Sequence, residues 1–295
     1  MKPAAFGYFA PRDLPEALSL VSTYSSDGKV IAGGQSLVPL MNFRLARPSH
    51  LIDINGIGSL SGIDAADGRV TIGATTRQRD AGTHPDVKVQ LPLLAEAISY
   101  IGHLAIQNRG TVGGSIAHAD PAAELPVVAL ALDAQMHVQR TDGQRTIPAA
   151  EFSLGYLTTV LEADELLTAT SFGVPPAGSG WCFSEVARRH GDFALVAVAV
   201  LLTLDAAGKV GSASIALGGV GPVPMRAGAA ERLLVGEAPT DPVLRAAADT
   251  VGADVEPEDD IHASADYRRH LAGVLVRRAL TTARARAAVA GNEHV

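Results

Sequence analysis

The chain has 295 residues, of which 47% are hydrophobic and 19% charged, a composition typical of a folded globular protein with room for two domains. Its formal net charge of −7 and its scattered lysines and arginines argue against a nucleic-acid partner. Cys182 is the only cysteine, which excludes an internal disulfide, a cysteine-ligated zinc site and an iron–sulfur cluster built from this chain alone.

No stretch of the sequence resembles a signal peptide or a membrane span. Pro11 and Asp13 interrupt the first twenty residues, which lack an apolar core. The longest apolar run, residues 193–204, is about half of the roughly 20 residues that a spanning helix needs, and it predicts a buried strand. We therefore expect a cytoplasmic protein.

The N-terminal segment predicts an α/β unit. "DLPEALSLVSTY", residues 13–24, has apolar residues at helical spacing behind a capping Asp13. A strand at "KVIAGG", a helix after Ser36 and a short strand at "HLIDI" follow it.

A glycine pair, Gly33 and Gly34, separates the predicted strand from the next helix. Glycine lets a ligand approach the backbone closely, and the start of a helix offers unpaired N–H groups that attract anions. A tight connection that serves packing alone gives the same pattern. Taken by itself, this stretch leaves both interpretations open.

From Arg69 onward, strand-like segments alternate with helical ones and predict a second, mixed lobe. Within it, "NRGTVGGSIAHADPAAELP", residues 108–126, contains a second glycine pair, Gly113 and Gly114, again followed by a serine and a helix-like start. Two such turns favour a dinucleotide, because its diphosphate is held from both sides by backbone N–H groups, Ser36 and Ser115.

Three polar residues follow the second pair: His118, Asp120 and Glu124. Glu124 or Asp120 is suited to accept hydrogen bonds from ribose hydroxyls. The same three residues are also candidate metal ligands, but their spacing fits no familiar ligand set, so the cofactor interpretation is preferred. "GIGSLSG", residues 56–62, has the wrong spacing for the usual dinucleotide fingerprint and lacks a following helix signal.

A composition shift at "VPPAGSG", residues 174–180, predicts a domain boundary. We expect a first domain at residues 1–176, with lobes at about 1–55 and 56–176, and a second domain at 177–295. Three extended runs, at residues 181–188, 193–204 and 209–218, precede helical patterns and predict a small α+β domain.

Six stretches together resemble one known family. They are "MKPAAFGYFAP", "AGGQS", "TVGGS", "HADPAAELP", "ARRHGDFALV" and "DYRRHLAGVLVRRAL", and they cover essentially the whole chain. The chain resembles the FAD-binding medium subunit of the molybdenum hydroxylases, the family of carbon monoxide dehydrogenase, xanthine dehydrogenase and bacterial N-heterocycle dehydrogenases. The resemblance implies an α+β protein: a two-lobed FAD-binding domain of the vanillyl-alcohol oxidase (PCMH) type and a small C-terminal domain of antiparallel sheet plus helices.

The resemblance also implies which residues bind FAD, and it assigns no catalytic residue and no metal ligand to this chain. The implied FAD-binding residues are Ala32, Gly33, Gly34, Gln35, Ser36, Thr111, Val112, Gly113, Gly114, Ser115, His118, Glu124 and Leu166. Asp192 and Phe193 begin the next predicted strand, where an aromatic residue ordinarily packs in a core. In the family this turn lies close to the flavin, so Phe193 is expected to cover one face of the ring.

The implied function is that of an oxidoreductase subunit that relays electrons. A large molybdopterin subunit hydroxylates the substrate, expected to be an N-heterocycle or another aromatic compound. A small subunit with two [2Fe–2S] clusters passes electrons to this FAD, which gives them to an external acceptor; a dimer of heterotrimers is expected.

Three alternatives remain. One is the medium subunit of a carbon monoxide or aldehyde dehydrogenase. Another is a stand-alone flavin oxidoreductase, which an aromatic content of 4% and the lack of a convergent His/Tyr/Arg cluster disfavour. The last is a scaffold without activity, which the intact glycine motifs disfavour.

Overall fold

The structure, a computed structural model, describes residues 2–292. It contains a three-stranded parallel sheet, a five-stranded antiparallel sheet and a four-stranded antiparallel sheet, in chain order, with helices packed on each. This arrangement confirms the predicted α+β class. Among the described residues, no helix is both long enough and apolar enough to cross a bilayer.

The first lobe is the parallel sheet with two helices. Its elements are β1 (Gly7–Phe9), α1 (Leu14–Thr23), β2 (Gly28–Ile31), α2 (Leu37–Asn42) and β3 (His50–Asp53). The strand order is β1-β3-β2, so β3 lies in the middle. Asp13 caps α1 as predicted, because its carboxylate accepts a hydrogen bond from the Glu16 N–H at 2.9 Å. The carboxyl ends of all three strands meet at one edge, where the first glycine turn begins.

The second lobe carries the five-stranded sheet, in the order β4-β5-β10-β6-β7. Its strands are β4 (Ile63–Ala66), β5 (Arg69–Gly73), β6 (Gln135–Arg140), β7 (Gly143–Pro148) and β10 (Leu166–Gly173), with a small hairpin of β8 (Ser153–Gly155) and β9 (Thr158–Thr159) beside them. Its helices are α3 (Gln78–Thr83), α4 (Pro85–Gln90), α5 (Pro92–Ile98), α6 (Leu104–Gln107), α7 (Val112–His118), α8 (Glu124–Ala131) and α9 (Ala149–Phe152). Every residue of α8 is buried, so this helix forms the centre of the lobe.

Four strands of the first domain, β1, β4, β8 and β9, are not predicted by the sequence pattern. Each has only two to four residues, which gives an alternating pattern little room to show. The "GIGSLSG" stretch forms a short 3₁₀ helix at Gly58–Leu60 and then β4, and no α-helix follows it directly.

The C-terminal unit is an antiparallel sheet covered by helices. It consists of β11 (Gly180–Val186), β12 (Val196–Leu204), β13 (Val210–Gly218), β14 (Met225–Arg226), α10 (Gly228–Leu234), α11 (Asp241–Asp254) and α12 (Ala265–Asn292). β12 is the longest apolar run, and Val196, Val198 and Val200 are fully buried in it, as predicted. The strand starts at Val196, so Phe193 lies in the loop before it and does not begin the strand.

The two units are joined by polar contacts that fix their relative position. The Arg286 guanidinium on α12 forms an ion pair with Glu96 on α5 at 2.8 Å, and it also donates to the Trp181 carbonyl at 2.8 Å. Glu96 accepts in turn from the Phe183 N–H at 2.8 Å. The Ser214 hydroxyl donates to the carbonyl of Ala131 at 2.7 Å. β11, β13 and α12 are thereby held against α5 and α8 of the first domain.

Candidate functional site

A cleft of about 780 Å³ lies between the two lobes, and a loop of the C-terminal unit closes part of its side. Both glycine turns line it, together with residues 101–106, 157–167 and 191–193. Every FAD-binding residue expected from the sequence lines this cleft except Val112. Residues that are far apart in the sequence are thus brought to one place.

The first glycine turn, residues 32–36, has free donors. Gly34 has φ of +72°, a left-handed conformation that glycine adopts without strain. Among residues 2–292, no group accepts a hydrogen bond from the N–H of Gly33, Gly34, Gln35 or Ser36. The Ser36 side chain makes no capping hydrogen bond to α2. The turn therefore presents several N–H groups and one hydroxyl to the cleft, which is the donor set that an anion needs.

The second glycine turn, residues 111–115, uses its donors internally. The N–H groups of Val112 and Gly113 donate to the carbonyls of Thr76 and Ala74, both at 3.0 Å. The Gly114 N–H donates to the Thr111 hydroxyl at 3.0 Å, and the Ser115 N–H to the Thr111 carbonyl at 3.1 Å. These four N–H groups already have partners within the chain, so the expectation that backbone N–H groups of both turns hold an anion stays a prediction for the second turn.

Val112 does not line the cleft, and its assignment as an FAD-binding residue stays a prediction. Its side chain is fully buried in the core of the second lobe, and its N–H belongs to the contact with residues 74–76. Gly113 lies so close to Ala74 that an added Cβ would stand 2.5 Å from the Ala74 Cβ. Val112 thus anchors the second turn to β5 and leaves Ser115 to face the cleft.

The two turns touch each other. A Cβ added to Gly33 would collide with the carbonyl oxygen of Arg109 and would stand 2.8 Å from the Gly110 Cα. Gly33 is therefore needed for contact between the lobes, and Gly34 for the left-handed turn.

A polar bridge that the sequence did not predict joins the same two segments. The Arg77 guanidinium donates to the Arg109 carbonyl at 2.6 Å and to the Asn55 side-chain oxygen at 2.8 Å. The Asn55 amide donates to the Ala32 carbonyl at 2.7 Å and to the Asp53 carboxylate at 2.6 Å. The only sequence signal was the position of Asn55 just after a strand.

Glu124 is a buried carboxyl group at the cleft wall. It is 6% exposed, and no side chain of the described residues donates to it. Burial, with a smaller contribution from Asp120, raises the pKa of Glu124 to about 7. Burial, with a smaller contribution from the nearby Glu124, raises the pKa of Glu185 on β11 to about 8. Glu124, which is buried, and Glu185, which is half-buried, thus form a pair of acids where the two units meet.

Two apolar residues line the cleft from different segments of the chain. Leu166 is 4% exposed and lines the cleft at the start of β10. Phe193, with Gly191 and Asp192, forms the wall contributed by the C-terminal unit, and its ring is 60% exposed. Phe193 therefore does not pack in the core, and its ring is free to contact a ligand in the cleft.

His118 lies at the end of α7 and lines the cleft near Asp120. The Asp120 carboxylate accepts from the Ala122 N–H at 2.9 Å, which fixes the loop that leads to Glu124. Within residues 2–292, no cluster of three or more His, Cys, Asp or Glu side chains has the arrangement of a metal site. His118, Asp120 and Glu124 all line the cleft.

Two family models account for nearly all of the chain. Residues 4–175 match the FAD binding domain in molybdopterin dehydrogenase. Residues 181–283 match the CO dehydrogenase flavoprotein C-terminal domain.

Individual proteins show the same relationship. The 6-hydroxypseudooxynicotine dehydrogenase complex subunit alpha of Paenarthrobacter nicotinovorans is 42% identical over 287 residues, 97% of each chain. The carbon monoxide dehydrogenase medium chain of Hydrogenophaga pseudoflava is 40% identical, over 98% of this chain and 100% of the relative. A solved structure of carbon monoxide dehydrogenase from Hydrogenophaga pseudoflava superposes with a TM-score of 0.94 at 42% identity, covering 97% of this chain and 99% of the other.

Proposed function

The chain belongs to the FAD-binding medium subunits of the molybdenum hydroxylases, and on that premise we propose that it relays electrons from the clusters of a partner subunit to an external acceptor. The first domain, which we place at residues 1–176, binds the FAD. The second domain, residues 177–295, contributes a wall of the cleft.

The cleft suits the parts of FAD in different places. We assign the diphosphate to the free N–H groups of Gly33, Gly34, Gln35 and Ser36, because oriented N–H groups bind phosphate oxygens without a counter-charge. We assign a ribose hydroxyl to Glu124, since its buried carboxyl group has no side-chain partner among the described residues. The free donors of the first turn are the observation that carries this assignment.

The remaining predicted residues complete the site. We assign the flavin ring to the part of the cleft that is lined by the apolar side chains of Leu166 and Phe193. Ser115 and His118 line the cleft on the side of the second turn and are assigned as polar contacts. Ala32, Thr111, Gly113 and Gly114 shape the two turns.

A bound FAD supplies the redox chemistry, since it can take up two electrons and release them to another molecule. The residues of this chain hold and orient it, limit the access of water and provide the contacts that tune it. The only cysteine, Cys182, is buried and cannot by itself hold an iron–sulfur cluster. In the proposed relay, the electrons therefore reach this cleft from clusters on another chain.

We propose that the partners are a molybdopterin-binding large subunit and a [2Fe–2S] small subunit, assembled as a dimer of heterotrimers. Relatives that are named as medium chains or as subunits of a complex support this proposal. A cytoplasmic location, which a single unpaired cysteine favours, belongs to the same proposal.

We propose an N-heterocycle or another aromatic compound as the substrate of the complex. Two relatives of nearly equal identity are named for 6-hydroxypseudooxynicotine and for carbon monoxide, so the similarity of this chain alone supports either class. The alternative is therefore a carbon monoxide or aldehyde dehydrogenase.

The test is to load the purified chain with FAD and mix it, without oxygen, with candidate substrates. We expect the flavin colour to persist with the chain alone and to bleach once the large and small subunits are added. Bleaching with the chain alone would mean that the substrate reacts here, and the stand-alone flavin oxidoreductase would replace the relay. A wild-type chain that retains no flavin, alone or in the complex, would remove the FAD assignment.

A further inference from the structure

One arginine of the C-terminal unit is buried beside the cleft wall. Arg268, on α12, is 7% exposed. Its guanidinium donates to the Leu195 carbonyl at 2.5 Å and, at 3.3 Å, to the carbonyl of Gly219. The other terminal nitrogen forms an ion pair with the Asp260 carboxylate at 2.6 Å. A buried guanidinium with this set of acceptors is held in one orientation.

Both carbonyls belong to segments that lead to the cleft. Leu195 comes two residues after Phe193, and its own N–H donates to the Val186 carbonyl at 2.7 Å. Arg268 thus fixes the point where the loop of residues 187–193 returns to the sheet. The hydrogen bond between Leu195 and Val186 joins the two ends of this loop.

The second carbonyl connects Arg268 to the loop that follows the second glycine turn. The Gly219 N–H donates to the Pro121 carbonyl at 2.8 Å, and Pro121 lies between Asp120 and Glu124. Gly219 has φ of +72°, and an added Cβ would stand 2.6 Å from the Leu195 carbonyl oxygen. The two segments therefore converge on the same guanidinium.

We infer that Arg268 is a positioning residue for the FAD site: from the second domain it sets the Phe193 wall and the Asp120–Glu124 loop in place together. This inference rests on the proposed function, because it assumes that FAD occupies the cleft. Asp260 is fixed for this task, since its carboxylate also accepts from the N–H groups of His262 and Ala263 at 2.7 and 2.9 Å.

A second arginine of the same helix provides a matched control. Arg286 also joins the two units, through Glu96 and the Trp181 carbonyl, but neither it nor these two partners line the cleft. If Arg268 only braces the second domain, loss of either arginine should have the same effect on FAD. If Arg268 positions the site, only its own loss should change the environment of the flavin.

The experiment compares the full chain with Arg268→Ala, Arg268→Lys and Arg286→Ala. FAD is titrated into each flavin-free protein, and its dissociation constant, emission and visible circular dichroism are recorded. We expect Arg268→Ala to weaken FAD binding about tenfold and to change the emission and dichroism of the bound flavin, as the loss of a buried charged hydrogen-bond donor would. Arg268→Lys should recover part of the FAD affinity and part of the wild-type flavin spectrum. Arg286→Ala should lower the melting temperature while FAD affinity stays within about twofold.

Each other outcome has a defined meaning. A wild-type chain that binds no FAD removes the proposed function itself. If the wild type binds and Arg268→Ala matches it in affinity and spectrum, the inference is wrong. It is equally wrong if Arg286→Ala weakens binding as much and changes the spectrum in the same way. If Arg268→Ala does not fold, Arg268→Lys is tested by the same measurements, because it keeps the charge and loses the forked pair of donors. Wild-type affinity and spectrum in Arg268→Lys would then overturn the inference.

Discussion

The two glycine turns of the cleft have the same sequence pattern and opposite hydrogen bonding. In residues 32–36 the N–H groups of four successive residues have no acceptor in the described part of the chain. In residues 111–115 the N–H groups of Val112 to Ser115 all have one. A glycine pair before a helix therefore does not by itself identify an anion site. The free donors are what distinguish the first turn from the second.

The difference arises from the neighbours of each turn. The first turn follows the end of a parallel strand, where the chain leaves the sheet and no further strand is available to accept its N–H groups. The second turn is paired with residues 74–77, and Thr111 forms an isolated β-bridge with Arg77. The first turn therefore keeps free donors, whereas the second turn uses its donors within the chain.

The largest effect is expected at the contact between the turns. Gly33→Val places a side chain against the backbone of Arg109 and Gly110, which cannot move without separating the lobes. We expect complete loss of flavin from the purified chain, measured as visible absorbance per chain after gel filtration. Gly143→Val is the control, because a Cβ at Gly143 meets no atom within 4 Å. Full occupancy in Gly33→Val would contradict the assignment of the first turn.

The next effect concerns the bridge between the turns. Arg77→Ala removes the donors to the Arg109 carbonyl and to Asn55, so the first turn loses its fixed position relative to the second. We expect FAD affinity to fall about tenfold, from the loss of charged hydrogen bonds. Arg79→Ala, two residues away and exposed, should bind FAD as the wild type does. Equal affinity in the two variants would show that the bridge is unimportant.

The third effect is a dependence of stability on pH, which we expect from the loop after the second turn and not from the first turn. The first turn binds through N–H groups that do not titrate, whereas the loop after the second turn carries Glu124, which lies close to Glu185. The pKa values of these acids, about 7 and about 8, lie above the ordinary value of 4.5, so the folded chain holds protons that the unfolded chain releases. Their contribution to stability is present below about pH 4.5 and is lost as the pH rises to about 8.

Glu185→Gln should remove part of this loss. We expect the variant to be more stable than the wild type at pH 8 by about 1–2 kcal/mol, allowing for the partial exposure of Glu185, and to match it at pH 4. Urea unfolding at both pH values measures this, with the exposed Glu151→Gln as the control. A stability difference that does not change with pH would show that burial does not raise the pKa of Glu185.

The smallest effects should differ in kind between the turns: a variant of the second turn should lose stability, and a variant of the first turn should lose FAD affinity. Thr111→Val removes the hydroxyl that accepts from the Gly114 N–H, and it should cost about 1 kcal/mol of unfolding free energy. Ser36→Ala removes no hydrogen bond within the described chain, so its stability should equal that of the wild type while FAD binds a few times more weakly. Thermal melts and FAD titrations on both variants test the pattern. The same outcome in both would abolish the distinction between the turns.

The sequence predicted the parts of this molecule that depend on local pattern. The capped helix α1, the buried strand β12 and the glycine turns all follow from spacing and composition. The bridge of Asn55 and Arg77 and the anchoring of Val112 could not be predicted, because each depends on a residue distant in the sequence or on which carbonyl a backbone N–H reaches. The sequence marked Glu124 as a candidate by its residue type and its position after the second turn. Its burial could not be predicted, because it depends on the packing around α8.

The free N–H groups of residues 33–36 also determine how the chain should be handled. Donors of this kind recognise the oxygens of an anion and not the nucleotide as a whole, so sulfate, phosphate and inorganic diphosphate should compete with FAD for the same positions. A precipitation step in ammonium sulfate is then expected to yield colourless protein from coloured extracts, and exchange into a chloride buffer with added FAD should restore the colour.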